Sequence, residues 1–418
     1  MPDPSLIGTG ATQFGSVLED ESLQGKTFEE IAADAAFQAM DDANIEPEEI
    51  DAFYVGNMLQ STSGVSSHAT VLADWLGLQQ KAGFHFDTAC STGNTGLGIA
   101  HDAIKSESYE NVLVVGAEIT SSRPTSRFQL DREPIDPQEL WYLTDIGVDN
   151  VYAYMHAYDV ATAYGAIPSM AFAEKHDLSE DELDEVMFHV NRIAREHASK
   201  TPKAAVEESL EDLAAAKDFE DPQEFWRSKN NPFFAWPTRQ LSALQAVDGA
   251  SASIISANPS DFTDKVTAKI RGYDWRAKGF PWYGADPTRM PQDVKAFEAA
   301  YEKTGIEPAD IDYLYVHDCM QIHQPILGEL SGYLEDPVAA FKNEETLYTG
   351  PKPMNVSGGR HGVGHAWEAS AGFETHEILQ QMRGESGENQ IPDEPEIAVQ
   401  HNHGYGMHTA VTVLEREA

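Results

Sequence analysis

Apolar and polar positions alternate with two different periods along this chain. In FEEIAADAAFQAMDDA (28–43) the apolar residues return at helical spacing, which predicts an amphipathic helix packed on one face. VKAFEAAYEKT (294–304) and SEDELDEVMFHVNRIAREHASK (179–200) read the same way. NVLVVGAEI is continuously apolar and predicts a buried strand; strands are also expected at the start of SLIGTGATQFG, in FHFDTA, in QAVDGASASIISA (245–257) and in the terminal TAVTVLE. Between these come the short helix VLADWLG, the helix STGNTGLGIAHDAIKS and the helix WEASAGFETHEILQQM. Strand and helix patterns therefore alternate, which predicts an α/β fold.

A repeat organises the pattern. IEPEEIDAFYVGNMLQ (45–60) and IEPADIDYLYVHDCMQ (306–321) share half their positions in register, and each follows an amphipathic helix. The simplest reading is a duplicated α/β half-unit. Residues 119–240 differ from both copies. They are rich in Tyr, Trp, Met and helix formers and are expected to form an inserted helical and loop domain. The expected division is thus 1–118 as the first half, completed by 241–260, then the insert 119–240, then 261–418 as the second half.

Composition narrows the function classes. In 418 residues there are 69 Asp+Glu against 28 Lys+Arg, a net charge of −41. The acids are spread over the whole length, and 41% of residues are hydrophobic, so this is a folded protein rather than an acidic tail. So negative a surface repels nucleic acid, and no basic cluster offsets it. No apolar run is long enough to span a membrane. The amino-terminal MPDPSLIGTG lacks a basic and then apolar stretch, so a cytoplasmic protein is expected. Distributed acid suits a cytoplasm at molar salt, where the Debye length is about 3 Å and self-repulsion is screened; a halophile is the expected source.

The chain holds two cysteines, Cys90 and Cys319, too few for a disulfide scaffold. Each follows an apolar strand-like run. Cys90 enters a small-residue turn, Cys-Ser-Thr-Gly, that opens a helix, where free N–H groups and the helix dipole favour a thiolate. The same N–H groups can hold an oxyanion. An ordinary buried cysteine is the alternative. Cys319 closes His317-Asp318-Cys319 at the end of the duplicated strand; there Asp318 could orient backbone and His317 could be a core histidine. Downstream lie Asn355-Val-Ser-Gly-Gly-Arg-His361-Gly-Val-Gly-His365 and Gln400-His401-Asn402-His403-Gly404-Tyr405-Gly406. A histidine is the usual base for a cysteine nucleophile. His361, His365, Glu368, His401 and His403 together could be read as metal ligands. The Gly-Val-Gly between the first two opposes the helix that an i, i+4 pair requires, so no metal is expected. Gly358-Gly359 lacks the ending and spacing of a phosphate loop.

Taken together, these four groups resemble the thiolases, most of all the sterol-carrier-protein-2 type and its archaeal relatives. The matching segments are Cys90-Ser91-Thr92-Gly93, His317-Asp318-Cys319, Ser357-Gly358-Gly359 with Gly364-His365, and Gln400 to Gly406. Gly8-x-Gly10-x-x-x-Phe14-Gly15 and Asp248-Gly249-Ala250 also fit. The resemblance implies the thiolase fold, two five-stranded α/β halves in a layered sandwich with a loop domain. It implies acyl-CoA substrates, coenzyme A as substrate or product, no permanently bound cofactor, and Claisen condensation or its thiolytic reverse. Carried over by position, Cys90 takes the acyl group, His365 activates it, Cys319 moves the proton at the substrate α-carbon and His317 helps to bind the enolate oxygen. The N–H groups of Cys90 and Gly404 form an oxyanion hole, and Asn402 stands where other thiolases carry their second cysteine. A homodimer or larger assembly is implied, as is a small partner subunit with a zinc ribbon and an OB-fold. This chain departs from the family at Glu368 and Ala371, which replace glycines, and at the bulky Tyr405.

Overall fold

The computed structural model describes residues 4–58, 67–121, 165–277, 286–404 and 408–417. Its strands are β1 (Ser5–Ala11), β2 (Ala52–Gly56), β3 (Ala82–Phe86), β4 (Asn111–Glu118), β5 (Phe233–Ala235), β6 (Thr238–Arg239), β7 (Gly249–Ser256), β8 (Thr267–Ala277), β9 (Tyr313–Tyr315), β10 (Ile397–Gly404) and β11 (His408–Glu417). All but the β5–β6 hairpin join one nine-stranded sheet, in the order β3-β2-β4-β7-β1-β8-β11-β10-β9.

The order reads as two copies running outward from a seam. On one side β2 and β4 are parallel while β4–β7 and β7–β1 are antiparallel. On the other side β9 and β10 are parallel while β10–β11 and β11–β8 are antiparallel. The seam is short: β1 meets β8 only at Ser5–Lys269 and Leu6–Ala268. The repeated sequence adopts one local structure twice. Residues Pro47–Glu49 and Pro308–Asp310 each form a single 3-10 turn, in which the Glu49 and Asp310 carboxylates accept from the N–H of Glu46 and Glu307, leading into β2 and β9. Proline at the first helical position removes a donor that would have no partner.

Among the described residues the second half supplies four strands to the sheet where the first supplies five. Beyond β9 a fifth is reduced to one bridge, Leu314 to Met354. Pro351 and Pro353 flank that stretch and cannot donate to a ladder.

Helices cover both faces. α1 (Phe28–Ala43) packs on β1, β7 and β4, and α4 (Pro291–Thr304) packs on β8 and β11. α1 begins with a capping box, in which Thr27 accepts from the Glu30 N–H and Glu30 accepts from the Thr27 N–H. On the opposite face α2 (Thr92–Lys105) and α7 (Trp367–Arg383) contact each other and strands of both halves. Gly93 permits that crossing, because a Cβ there would lie 2.6 Å from the Gly372 nitrogen. α3 (Glu180–Ala198), the predicted acidic helix, begins at Ser179 with a second capping box and packs on α6 (Gly359–Gly362).

The predicted strand FHFDTA stops at Phe86. The Asp87 carboxylate takes the Ala89 N–H, and this starts the turn that carries Cys90. Much of the predicted insert, residues 122–164, lies outside the described residues, as do Tyr405 and Gly406. Among the described residues no helix is long and apolar enough to cross a membrane.

Candidate active site

Cys90 sits in a tight turn between β3 and α2. Ala89 takes φ +53°, a left-handed conformation that costs energy for a residue with a Cβ. Hydrogen bonds hold it. Thr92 Oγ1 donates to the Ala89 carbonyl at 2.6 Å and accepts from the Thr88 N–H at 2.8 Å. Ser91 Oγ donates to the Thr88 carbonyl at 2.7 Å. Cys90 is thereby fixed two residues before α2, at the helix N-terminus expected from the sequence. Gly404, at the end of β10, passes against this turn. A Cβ on it would lie 2.3 Å from the Thr88 carbonyl oxygen and 2.9 Å from the Ala89 Cβ.

His317, Asp318 and Cys319 follow β9 and are buried. Asp318 is structural, accepting from the Arg360 N–H at 2.9 Å and from Gln324 Nε2 at 2.7 Å. Its carboxylate fills the space a Cβ on Gly359 would need, 1.9 Å away, so glycine is required there. Burial pushes the Cys319 thiol well above its ordinary range, and the charge of nearby Cys90 adds to the shift. Arg360 ties the two cysteine loops together, its N–H donating to Asp318 at 2.9 Å and its Nη2 to the Cys90 carbonyl at 3.2 Å.

His365 is fully buried beside them. Its ring lies edge-on to Trp367 at 4.6 Å and to His317 at 6.0 Å between centroids. Burial, reinforced by Arg360, holds it well below the usual histidine range, so it stands as the neutral imidazole.

Sequence reasoning missed the group at the centre. Arg360 is 1% exposed. Its Nη2 donates to the Cys90 carbonyl at 3.2 Å, and its Nη1 lies 3.4 Å and 3.5 Å from the two ring nitrogens of His365. Its Nε donates to Glu374 at 2.9 Å. Burial outweighs the Arg360 and Asn402 contacts and raises Glu374 to about 7. A charged residue within a run of glycines and small residues was the available signal for Arg360; Glu374, one side of a buried helix, gave none.

Asn402 is tied away from the cysteines. Its Nδ2 donates to Glu374, and its Oδ1 accepts from Gln400 Nε2 at 3.1 Å. It reaches Cys90 through Glu374 and Arg360.

Glu368 is fully buried beside Glu118. Glu118 accepts from Asn57 Nδ2 at 2.9 Å and from the Met58 N–H at 3.1 Å, so it is the ionised partner. Burial first, and Glu118 second, push Glu368 well above the usual carboxyl range, and it carries the shared proton. Gly56 and Gly116 make room: a Cβ on either would lie 3.4 Å from the Glu368 Cγ. Ala371 is buried where α7 crosses Gly93.

The metal grouping weighed from the sequence is not gathered. His361 turns its ring nitrogens to the carbonyls of Ala243 and Asp318, at 3.0 Å and 2.6 Å. The structure gathers two other triplets, His317–Cys319–His403 and Asp293–His401–His403, with the ligating atoms of each within 4.8 Å of one another. Asp293 already accepts nitrogen donors on both oxygens, Gln292 Nε2 at 2.7 Å and His401 Nε2 at 2.9 Å. The second triplet is a hydrogen-bonded network as it stands.

Two family models match the chain, the thiolase N-terminal domain over residues 5–205 and the thiolase C-terminal domain-like model over 284–416. An acetyl-CoA acetyltransferase of Methanothermobacter thermautotrophicus is 27% identical, with all of both chains covered. Human sterol carrier protein 2 is 23% identical over 98% of this chain and 71% of that protein. Among solved structures, an Ltp2–ChsH2(DUF35) aldolase superposes with a TM-score of 0.77 at 16% identity, over 99% of this chain and 97% of that one. At that identity the likeness concerns the fold alone.

Proposed function

The chain belongs to the thiolase family, and on that premise we propose that it is a β-ketothiolase, making or cleaving acetoacetyl-CoA or a short 3-ketoacyl-CoA through an acyl-enzyme on Cys90. The observation that carries this reading is the convergence of Cys90, Cys319, His317 and His365 in one buried site. Cys90 at a helix N-terminus suits a nucleophile. His365, neutral and buried, suits the base that takes its proton. Cys319 then exchanges the proton at the α-carbon of the second acyl-CoA, and His317 holds the enolate oxygen. The N–H groups of Cys90 and Gly404 stabilise the oxyanion of the tetrahedral intermediate, which fits the tight passage of Gly404 over Thr88 and Ala89. Asn402 acts through Glu374 and Arg360.

The name of the methanogen relative supports acetyl-CoA chemistry for this chain. The partner-bearing aldolase makes a small partner subunit a reasonable companion. A homodimer is proposed as well, through the edge strand β3, where Phe84 is 43% exposed.

Two other readings remain distinguishable. A retro-aldol lyase acting on β-hydroxyacyl-CoA needs no thiol nucleophile, and an acyl-CoA-binding scaffold needs no chemistry. CoA-dependent cleavage of acetoacetyl-CoA, measured in molar KCl beside Cys90→Ala, separates them. Activity lost with Cys90 supports the thiolase. β-Hydroxyacyl-CoA cleavage that survives the substitution supports the lyase, and binding without turnover supports the scaffold.

A further inference from the structure

The proposed reaction leaves one chemical problem in the site. Cys319 must act as a thiolate, yet burial holds its proton on. A base has to face it. The neighbouring groups are His317 and Asp318, on the same loop, with the Asp318 carboxylate taken by the Arg360 N–H and Gln324; Cys90; His323, on α5 (His323–Leu330); His401 and His403, on β10; and Asp293, in the first turn of α4. Arg360 is the nearby cation, and its charge acts on His317 and His401.

Asp293 is the carboxylate of this group that faces His401 and His403. It is fully buried. Its Oδ1 accepts from His401 Nε2 at 2.9 Å and lies 3.7 Å from His403 Nδ1. The His403 ring packs on His317 with centroids 4.2 Å apart and meets the His323 ring edge-on at 5.1 Å. A nitrogen of His403, a nitrogen of His317 and the Cys319 sulfur all lie within 4.8 Å of one another. A gap of that size is within the reach of one bridging water. A carboxylate at one side of an imidazole, with a thiol near the ring, is the layout that orients a base and stabilises its protonated form.

We propose that Asp293, His403 and Cys319 form a carboxylate–imidazole–thiol relay in which His403 takes the proton from Cys319. The inference rests on the thiolase reading above. The proton leaves the Cys319 sulfur for a His403 nitrogen, and Asp293 stabilises the imidazolium. The thiolate then takes a proton from the α-carbon of the second acyl-CoA. The freed electron pair forms the new C–C bond to the acyl carbon on Cys90. The C–S bond to Cys90 breaks with its pair on sulfur, and the proton held by His403 neutralises that thiolate as the product leaves. Cys319 ends protonated, and no oxidant or added reactant is needed. His403 and Asp293 act through Cys319 and are positioning residues.

The test reads the two half-reactions separately in the intact protein in molar KCl. Intact-mass measurement follows acylation of Cys90 by acetyl-CoA. Exchange of the acetyl-CoA α-protons in deuterated buffer follows Cys319, with Cys319→Ala as the control that must lose it. His403→Gln is expected to slow exchange about 100-fold while acylation slows far less, with kcat falling and KM holding. Asp293→Asn is expected to slow exchange while Cys90 acylation slows far less. His403→Asn replaces His403→Gln if the latter does not fold. Equal losses in both half-reactions, or undiminished exchange, overturn the relay. So does a stoichiometric metal, found by elemental analysis of the purified protein, that disappears with His403→Gln. Absence of Cys90 acylation in the wild type overturns the thiolase reading and the relay together.

Discussion

Arg360 lies almost equally far from the two ring nitrogens of His365, 3.4 Å from Nε2 and 3.5 Å from Nδ1. As a pure donor it faces the imidazole edge, which Ser370 Oγ also meets at 3.4 Å from Nδ1, and it places a fixed positive charge beside Cys90, whose carbonyl it holds at 3.2 Å. Its own charge is balanced by Glu374.

Arg360→Met leaves the fully buried Glu374 without its cation. Breaking a buried pair in this way costs about 3–5 kcal/mol, and removing a preorganised charge costs activity on the order of 100-fold. The double variant Arg360→Met with Glu374→Met is expected to recover stability but not activity. Urea melts and acetoacetyl-CoA cleavage check the two halves separately.

The Glu118–Glu368 pair makes stability fall with rising pH. Glu368 is raised in the folded state well above the ordinary carboxyl value of 4.5, so between those two values the folded state binds more protons than the unfolded one. Its contribution is fully present below the ordinary value and is lost as pH climbs through the raised one. Glu374 and Glu377, each raised to about 7, act in the same direction. Glu368→Gln keeps the donor and removes the charge. Its stability relative to wild type is expected to grow as pH rises from about 5 to about 8 in denaturant titrations. A difference independent of pH contradicts the shared proton.

Gly404→Ala places a Cβ 2.3 Å from the Thr88 carbonyl oxygen. Backbone on that side cannot yield without moving the Cys90 turn. The expected cost is about 1–3 kcal/mol in stability, with a larger relative loss in Cys90 acylation, because the strained Ala89 turn is what aims the thiol.

The net charge of −41 predicts a fold that depends on salt. Melting in dilute buffer is expected well below melting in molar KCl, where screening shortens the Debye length to about 3 Å. An unchanged melting temperature contradicts the halophilic reading.

The alternation of periods located α1, β4, β7 and α3 because each is decided by its own residues. FEEIAADAAFQAMDDA spans α1 from end to end. The repeat at 45–60 and 306–321 likewise foretold matching turns before β2 and β9. Cys90 and Cys319 stood out through context and scarcity. What was hidden depends on partners far apart in the chain. Asp293 on α4 meets His401 and His403 on β10, and Glu118 on β4 meets Glu368 on α7. Periodicity marks which face of a helix is buried but not which buried side chain it will touch. Asn402 is a further case: its motif position is that of the second cysteine of other thiolases, and the partner of its side chain, Glu374 on α7, could not be read from that position.

The central claim is a covalent acyl group on Cys90. Wild-type protein in molar KCl, mixed with acetyl-CoA and quenched in acid, is predicted to gain one acetyl group by intact mass. Peptide mapping is predicted to place it on Cys90, and Cys90→Ala is predicted to gain none. An acetyl group on Cys319 instead, or none on the wild type under conditions where it turns over acyl-CoA, contradicts the account.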